Sequence, residues 1–127
     1  MDTRIASIVM GFAFVATGLL GFVPNPLVAP DGLFAVNAAH NAVHLLTGTL
    51  FLLVPVLFAG REGRAITAIG VAYAAVAVLG FFTRGDMLLG LVHINQADRW
   101  LHAGLALVIL AAGRLLPQAP PPAAREG

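Results

Sequence analysis

The sequence predicts an all-α integral membrane protein, a four-helix bundle built from two tandem two-helix repeats, and three observations predict it. First, 59% of the 127 residues are hydrophobic and only 10% are charged, against about 25% in a typical soluble domain. Second, the charged residues leave four long apolar runs between them, each able to cross about 30 Å of hydrocarbon as a helix. Third, one polar motif occurs twice, at the start of the second run and of the fourth.

The first two runs predict two spans. The first covers residues 5–23 and ends before Pro24, Pro26 and Pro30, because proline cannot continue a helix. The second covers residues 38–59. Asn37 is its expected N-cap, since an asparagine oxygen accepts hydrogen bonds from the free amides of a first turn.

The last two runs predict spans over residues 65–82 and 97–116. Asn95 is the expected cap of the fourth span, and Asp98 falls at its third helical position, where a carboxylate reaches back to the cap amide. The four spans form one domain over residues 1–116. Residues 117–127 are rich in proline and alanine, and we expect a disordered cytoplasmic tail there.

The repeated motif has the form apolar-Asn-x-x-(His or Asp)-x-x-apolar-His. It occupies residues 36–44 and, altered, residues 94–102. The Gly-Phe-Ala-Phe of residues 11–14 likewise corresponds to the Gly-Val-Ala-Tyr of residues 70–73. Because each unit holds two spans, both copies enter the membrane in the same direction. The expected pseudo-twofold axis therefore runs along the membrane normal.

The arginines predict the orientation of the bundle. Because arginine collects in cytoplasmic loops, we expect both termini in the cytoplasm and both motifs at the outer ends of spans two and four. The expected location is the bacterial cytoplasmic (inner) membrane, as a multi-pass protein. Five arginines lie on the predicted inner side and two on the outer: Arg4, Arg61, Arg64, Arg114 and Arg125 against Arg84 and Arg99.

The composition also limits the partners. The lipid bilayer is the expected one, and a membrane-protein partner or a second copy of the chain remains open. The formal net charge of +1 is too small to indicate nucleic acid. With no cysteine, thiolate metal sites, disulfides and c-type haem attachment are excluded.

Residues 33–48 (LFAVNAAHNAVHLLTG) and residues 88–102 (LLGLVHINQADRWLH) carry a resemblance to a known family. Over about residues 5–115 the chain resembles a bacterial family of small four-span membrane proteins, the domain of unknown function number 4383. Two residues depart from the pattern: His93 stands where a residue such as proline is typical, and Arg99 where asparagine is. The resemblance implies a four-helix integral membrane protein and carries no known activity.

The motifs supply the candidate site. Asn37, His40 and His44 share one helix face, because their spacing of three and seven residues keeps them within an arc of roughly 60°. Asp98 and His102 have the same spacing from Asn95. If the two faces meet, His40, His44, Asp98 and His102 form a set of ligands suited to zinc, copper or iron. We expect Asn37 and Asn95 to be helix caps rather than ligands.

Several alternatives stay open for these side chains. The position of Asp98 favours a first-turn capping carboxylate over a ligand. Buried imidazoles also bridge membrane helices by hydrogen bonds alone. A further hypothesis is a haem held between His44 and His102, with Gly48 and Gly104 leaving room for the macrocycle. The cofactor is therefore unknown, a transition metal or haem being possible and none required. His93 lies in the outer connection and is at best an entry-side ligand.

Three functions follow from these alternatives. The first is a non-enzymatic structural or accessory membrane module, held together by the polar cluster. The second is a membrane protein that binds a transition metal or haem, and the third is a small transporter or proton-handling protein whose histidines titrate near neutral pH. We expect no enzymatic activity, because the chain has no nucleophile motif, no paired carboxylates and no phosphate-binding loop.

Overall fold

The computed structural model describes residues 1–120 and confirms the all-α prediction, since the described strands have two residues each. Its elements are α1 (Thr3–Leu20), β1 (Val28–Ala29), β2 (Phe34–Ala35), α2 (Ala38–Leu57), α3 (Glu62–Phe82), β3 (Met87–Leu88), β4 (Val92–His93) and α4 (Gln96–Leu115).

Three of the four predicted spans, α1, α2 and α3, are long and apolar enough to cross a membrane. The helix α4 is long enough but more polar, because its first turns carry Asp98, Arg99 and His102; its role as a span stays a prediction. The helix α1 begins earlier than expected, since the carboxylate of Asp2 caps it by accepting from the amide of Ile5 over 3.0 Å.

The helices associate in two close pairs, α1 with α2 and α3 with α4. Glycines allow the close approach. A Cβ atom on Gly48 would lie 2.7 Å from the backbone nitrogen of Val15, and one on Gly113 would lie 2.7 Å from that of Thr67. Small residues at such crossings let helix backbones make van der Waals contact, which is how helices associate in lipid.

The two pairs meet in a core that contains Phe51, Val54, Ile66 and Ile109, all buried. The outward faces of the helices are lined with large apolar side chains that remain exposed. A soluble protein rarely leaves so much contiguous apolar surface in water. This distribution, apolar both inside and outside, fits helices that contact the lipid bilayer.

Hydrogen bonds between the connection that precedes α2 and the connection that precedes α4 join the two halves of the chain. The side-chain amide of Asn37 donates to the carbonyl oxygen of Leu91, and that of Asn95 donates to the carbonyl oxygen of Leu33, each over 2.9 Å. The two connections differ in detail. Strands β1 and β2 pair in parallel, whereas β3 and β4 form an antiparallel hairpin.

The end of the chain departs from the sequence expectation. Disorder was predicted from residue 117, whereas the structure packs residues 117–120 against the opposite end of the bundle. The carbonyl oxygen of Pro117 accepts from the amide of Thr3, whose hydroxyl accepts from the amide of Ala119. These contacts satisfy polar groups at helix ends that would otherwise lack partners. The rest of the predicted tail, residues 121–127, lies outside the described residues.

Candidate functional site

Three histidines meet between α2 and α4, and we call His40, His44 and His102 the histidine cluster. One ring nitrogen from each lies within 4.8 Å of the others, and all three side chains are buried. The ring centroids are 4.8 Å apart for His40 and His44, 5.5 Å for His40 and His102, and 6.1 Å for His44 and His102. The structure thus brings together three of the four residues predicted as metal ligands.

Backbone carbonyls orient two of the three rings. Nδ1 of His40 lies 2.7 Å from the carbonyl oxygen of His93, and Nδ1 of His102 lies 2.7 Å from that of Asp98. A carbonyl oxygen can only accept, so each Nδ1 must carry the proton. In the neutral ring the lone pair then lies on Nε2. Metal-binding histidines are oriented in this way in proteins.

Two ring nitrogens of the cluster have no hydrogen-bond partner among the described residues. Nε2 of His40 and Nε2 of His44 are buried and have no hydrogen-bond partner among residues 1–120. Buried polar atoms are nearly always hydrogen-bonded, and an exception points to a functional role or to a bound ion. Two such atoms in neighbouring rings therefore make the histidine cluster a candidate binding site.

The fourth predicted ligand, Asp98, has another role. Its carboxylate accepts from the backbone amide of Asn95 over 3.0 Å, and the Asn95 side chain accepts from the amide of Asp98 over 3.0 Å. This reciprocal pair is a capping box at the start of α4. Asp98 is nevertheless buried beside His40 and His102, with which it lines a cavity. It contacts the cluster through its backbone carbonyl.

The expected caps are both present. The side-chain oxygen of Asn37 accepts from the amide of His40 over 2.9 Å, as Asn95 does at the equivalent position of α4. Their amide groups face the opposite half of the chain, as described above. In both asparagines, therefore, the oxygen caps a helix and the amide group bonds the other half of the chain.

The arrangement does not suit a haem between His44 and His102. The ring of His40 lies close to both of these rings, in the space that the plane of a macrocycle would need. Gly48 faces the backbone of α1 and so belongs to a helix contact. A Cβ atom on Gly104 would meet nothing within 4 Å among the described residues, so this glycine does not border the cluster.

Two aromatic residues that the sequence did not assign to the site hold the rings in place. Tyr73 stacks on His102 with a ring-centroid distance of 6.0 Å and an angle of 8°, and its hydroxyl donates to Thr47 Oγ1. Phe14 packs edge-on against His44 at 5.6 Å. The predicted repeat places Phe14 and Tyr73 at equivalent positions, and this signal would have found both.

A second buried polar group lies at the opposite end of the bundle and was also missed. Glu62 is fully buried, and its Oε1 lies 3.3 Å from the Arg4 guanidinium. The other oxygen, Oε2, has no hydrogen-bond partner among residues 1–120. The hydroxyl of Ser7, also buried there, donates to the carbonyl oxygen of Phe51 over 2.6 Å. No periodicity in the sequence predicts that residue 4 contacts residue 62.

A family model described as a domain of unknown function (DUF4383) matches residues 4–115. No curated protein and no solved structure matches the chain.

Proposed function

The chain belongs to the family of the domain of unknown function DUF4383, and we propose that its histidine cluster binds a transition metal ion in the membrane. The observation that carries the proposal is the pair of buried, unpartnered Nε2 atoms of His40 and His44. Leaving such an atom without a partner costs roughly 1–3 kcal/mol. A metal ion between the rings would supply the missing partner for both.

The geometry needs only a small adjustment. The candidate ligand atoms lie within 4.8 Å of one another, whereas zinc bonds of about 2.0–2.1 Å place the ligands of a tetrahedral site roughly 3.4 Å apart. We expect the rings to move together by about 1 Å on binding. The hydrogen bonds from Nδ1 of His40 and His102 leave their Nε2 atoms free to do so.

Three neutral imidazoles favour a first-row transition metal over calcium or magnesium, which prefer oxygen ligands. Zinc is the ion that we propose. Three histidines and an open fourth position are a common zinc arrangement. A cavity lined by His40, Asp98 and His102 among others lies beside the cluster, where a fourth ligand could bind.

We further propose that the module is non-enzymatic. The hydroxyl side chains engage in structural bonds: Ser7 donates to Phe51, and Thr17, Thr49, Thr67 and Thr83 each donate to a carbonyl of their own helix. The nearest carboxylate, Asp98, serves as a helix cap. Because these side chains are engaged in structural bonds, we assign to the proposed metal a binding rather than a catalytic role.

We place the protein in the bacterial inner membrane with both termini in the cytoplasm. Arg4, Arg61, Arg64 and Arg114 lie at helix ends on one side of the bundle, where the rule of positive inner loops predicts the cytoplasm. The histidine cluster then lies near the outer surface, within the first two turns of α2 and α4.

The test is the metal content of detergent-purified full-length protein after incubation with zinc and removal of free ion. We expect close to one zinc ion per chain, and its loss in the His44→Ala and His102→Ala variants. His93→Ala is the matched control, because His93 contributes its backbone carbonyl alone to the cluster. A wild-type protein that keeps no zinc, or variants that keep as much as wild type, would refute the proposal.

A second candidate function, a structural module without metal, is favoured by the reciprocal bonds of Asn37 to Leu91 and of Asn95 to Leu33. In this alternative the polar residues serve to join the two halves of the bundle. It predicts that wild-type protein contains no metal and that His44→Ala lowers the melting temperature. The zinc measurement above therefore distinguishes the two.

A further inference from the structure

A cavity of about 210 Å³ lies directly beside the histidine cluster. His40, Asp98, Arg99 and His102 are the polar residues of its lining, and the rest of the lining is apolar. An apolar cavity of roughly 150 Å³ is enough to hold a benzene ring. The cavity therefore has the size and the walls of a site for a small apolar molecule, with the proposed metal at one end.

One difference between the two halves of the chain, at the positions that the predicted repeat makes equivalent, borders the cavity. In the first half the side chain of Asn41 fills the space under Gly21, so that a Cβ atom there would clash with its amide group. In the second half Arg99 takes the equivalent position and turns away to donate to the carbonyl oxygen of Gly85 over 2.6 Å. A Cβ atom on Gly80 would meet Arg99 Cγ only at 3.8 Å. The space that Asn41 fills is thus left open.

The cavity lies between α2 and α3, which make few contacts with each other, and under the β3–β4 hairpin. Val43 of α2, Val76 of α3 and Leu89 of the hairpin contribute to its lining and are also exposed on the surface. These side chains therefore form its rim. Val43 and Val76 belong to helices that are long and apolar enough to cross a membrane, so this part of the rim would face lipid and a molecule would enter from the bilayer.

We propose that this cavity binds an apolar molecule of about the size of one aromatic ring, which enters from the lipid. The molecule carries one oxygen atom that can bind a metal ion. The apolar walls would hold the ring, and the oxygen atom would lie beside His40, Asp98 and His102, where it could serve as a further ligand of the metal. The contact between the oxygen and the metal rests on the proposed metal site. The binding of the ring rests on the shape and the lining of the cavity alone. The chemical class is that of phenols and related hydroxylated rings.

The test uses 4-fluorophenol as the probe and full-length protein in detergent, both metal-free and loaded with cobalt in place of zinc. Binding is followed by fluorine NMR line broadening, and the metal environment by the visible absorption of cobalt. The variant Gly80→Leu fills the cavity, since Gly80 lines it and a Cβ atom there meets no clash. The control Gly104→Leu adds the same side chain where nothing lies within 4 Å among the described residues.

We expect 4-fluorophenol to broaden with wild type and with Gly104→Leu, and at least tenfold weaker binding to Gly80→Leu. Broadening that is equal in all three proteins, with or without cobalt, would overturn the proposal. The probe should also shift the cobalt absorption, whereas 4-fluorotoluene, which lacks the phenol oxygen, should not. If both probes leave the cobalt absorption unchanged, the phenol oxygen does not reach the metal, and the proposed contact between them is refuted. Failure of the wild type to bind cobalt refutes the metal site but leaves the broadening test of the cavity valid.

Discussion

His40 donates from Nδ1 to the backbone carbonyl oxygen of His93 over 2.7 Å, so the connection between α3 and α4 orients a side chain of α2. The bond crosses between the two halves of the chain. It also decides which ring nitrogen of His40 is free, because the proton on Nδ1 leaves the lone pair on Nε2. The backbone of His93, rather than its imidazole, takes part in the site.

The first prediction compares the role of the His40 ring with that of the His93 backbone. His40→Ala should weaken zinc binding by more than about 100-fold, because it removes a ligand, and loss of an outer hydrogen-bond partner alone costs roughly 10–100-fold. His93→Ala should leave the affinity within about threefold of wild type, because the carbonyl that orients His40 is retained. Competition with a chromophoric chelator measures both affinities. Equal loss in the two variants would show that the His93 ring is itself a ligand.

The second prediction concerns the two ends of the Asn37 side chain. Its oxygen caps α2 and its amide donates to Leu91 in the other half of the chain. Asn37→Ala should lower the free energy of unfolding by about 2 kcal/mol, since a cap and a hydrogen bond contribute about 1 kcal/mol each. Asn37→Asp keeps the cap and removes the donor, so about half of the loss is expected. Chemical denaturation in detergent, followed by helix circular dichroism, gives both values.

Asn95 provides the comparison for this prediction. Asn95→Ala removes the equivalent cap and the donor to Leu33, and should cost a similar amount. If Asn37→Asp is as unstable as Asn37→Ala, the bond to Leu91 and not the cap carries the stability. If Asn37→Asp matches wild type, the bond between the halves contributes nothing measurable.

Much of the fold and part of the site were predictable from the sequence. The apolar runs and the capping asparagines predict helices to within a few residues, because both signals are local. The spacing of His40 and His44 places them on one face of α2. The role of Asp98 was left open, since a carboxylate at the third helical position fits a cap and a ligand alike. In the structure the carboxylate accepts from the Asn95 amide, as a cap does.

The rest depends on contacts between residues distant in the sequence. No local sequence pattern predicts that Arg4 pairs with Glu62, or that residues 117–120 lie against the start of α1. The hairpin of β3 and β4 was missed because each strand has only two residues. The cavity depends on the direction in which one side chain, that of Arg99, turns.

The third prediction tests the ion pair at the end opposite the histidines. Glu62 is fully buried while Arg4 is one-third exposed (33%). Arg4→Met leaves the carboxylate buried without its partner, which in fully buried pairs costs about 3–5 kcal/mol. The partial exposure of Arg4 lowers our expectation to about 2 kcal/mol. The double variant Arg4→Met/Glu62→Gln, which removes both charges, should recover at least half of this loss in thermal unfolding. A double variant less stable than Arg4→Met would mean that the carboxylate has another role.

The fourth prediction concerns the crossing of α1 and α2 at Gly48. A Cβ atom on Gly48 would lie 2.7 Å from the backbone nitrogen of Val15 and 2.8 Å from the carbonyl oxygen of Gly11, so one helix must move. Such overpacking typically costs about 1–3 kcal/mol, while alanine gains up to about 1 kcal/mol over glycine within a helix. Gly48→Ala should therefore destabilise the protein by about 1–2 kcal/mol.

Gly104→Ala is the matched control for this crossing. It makes the same change within α4, where a Cβ atom would meet nothing within 4 Å among the described residues. Only the helix preference remains, and the variant should be as stable as wild type or more stable by up to about 1 kcal/mol. Melting temperatures of the two variants in the same detergent compare them directly. Because a shift of α2 also moves His40 and His44, Gly48→Ala should weaken zinc binding as well, whereas Gly104→Ala should not. Unchanged zinc affinity in a destabilised Gly48→Ala protein would show that the histidine cluster holds its geometry independently of the crossing.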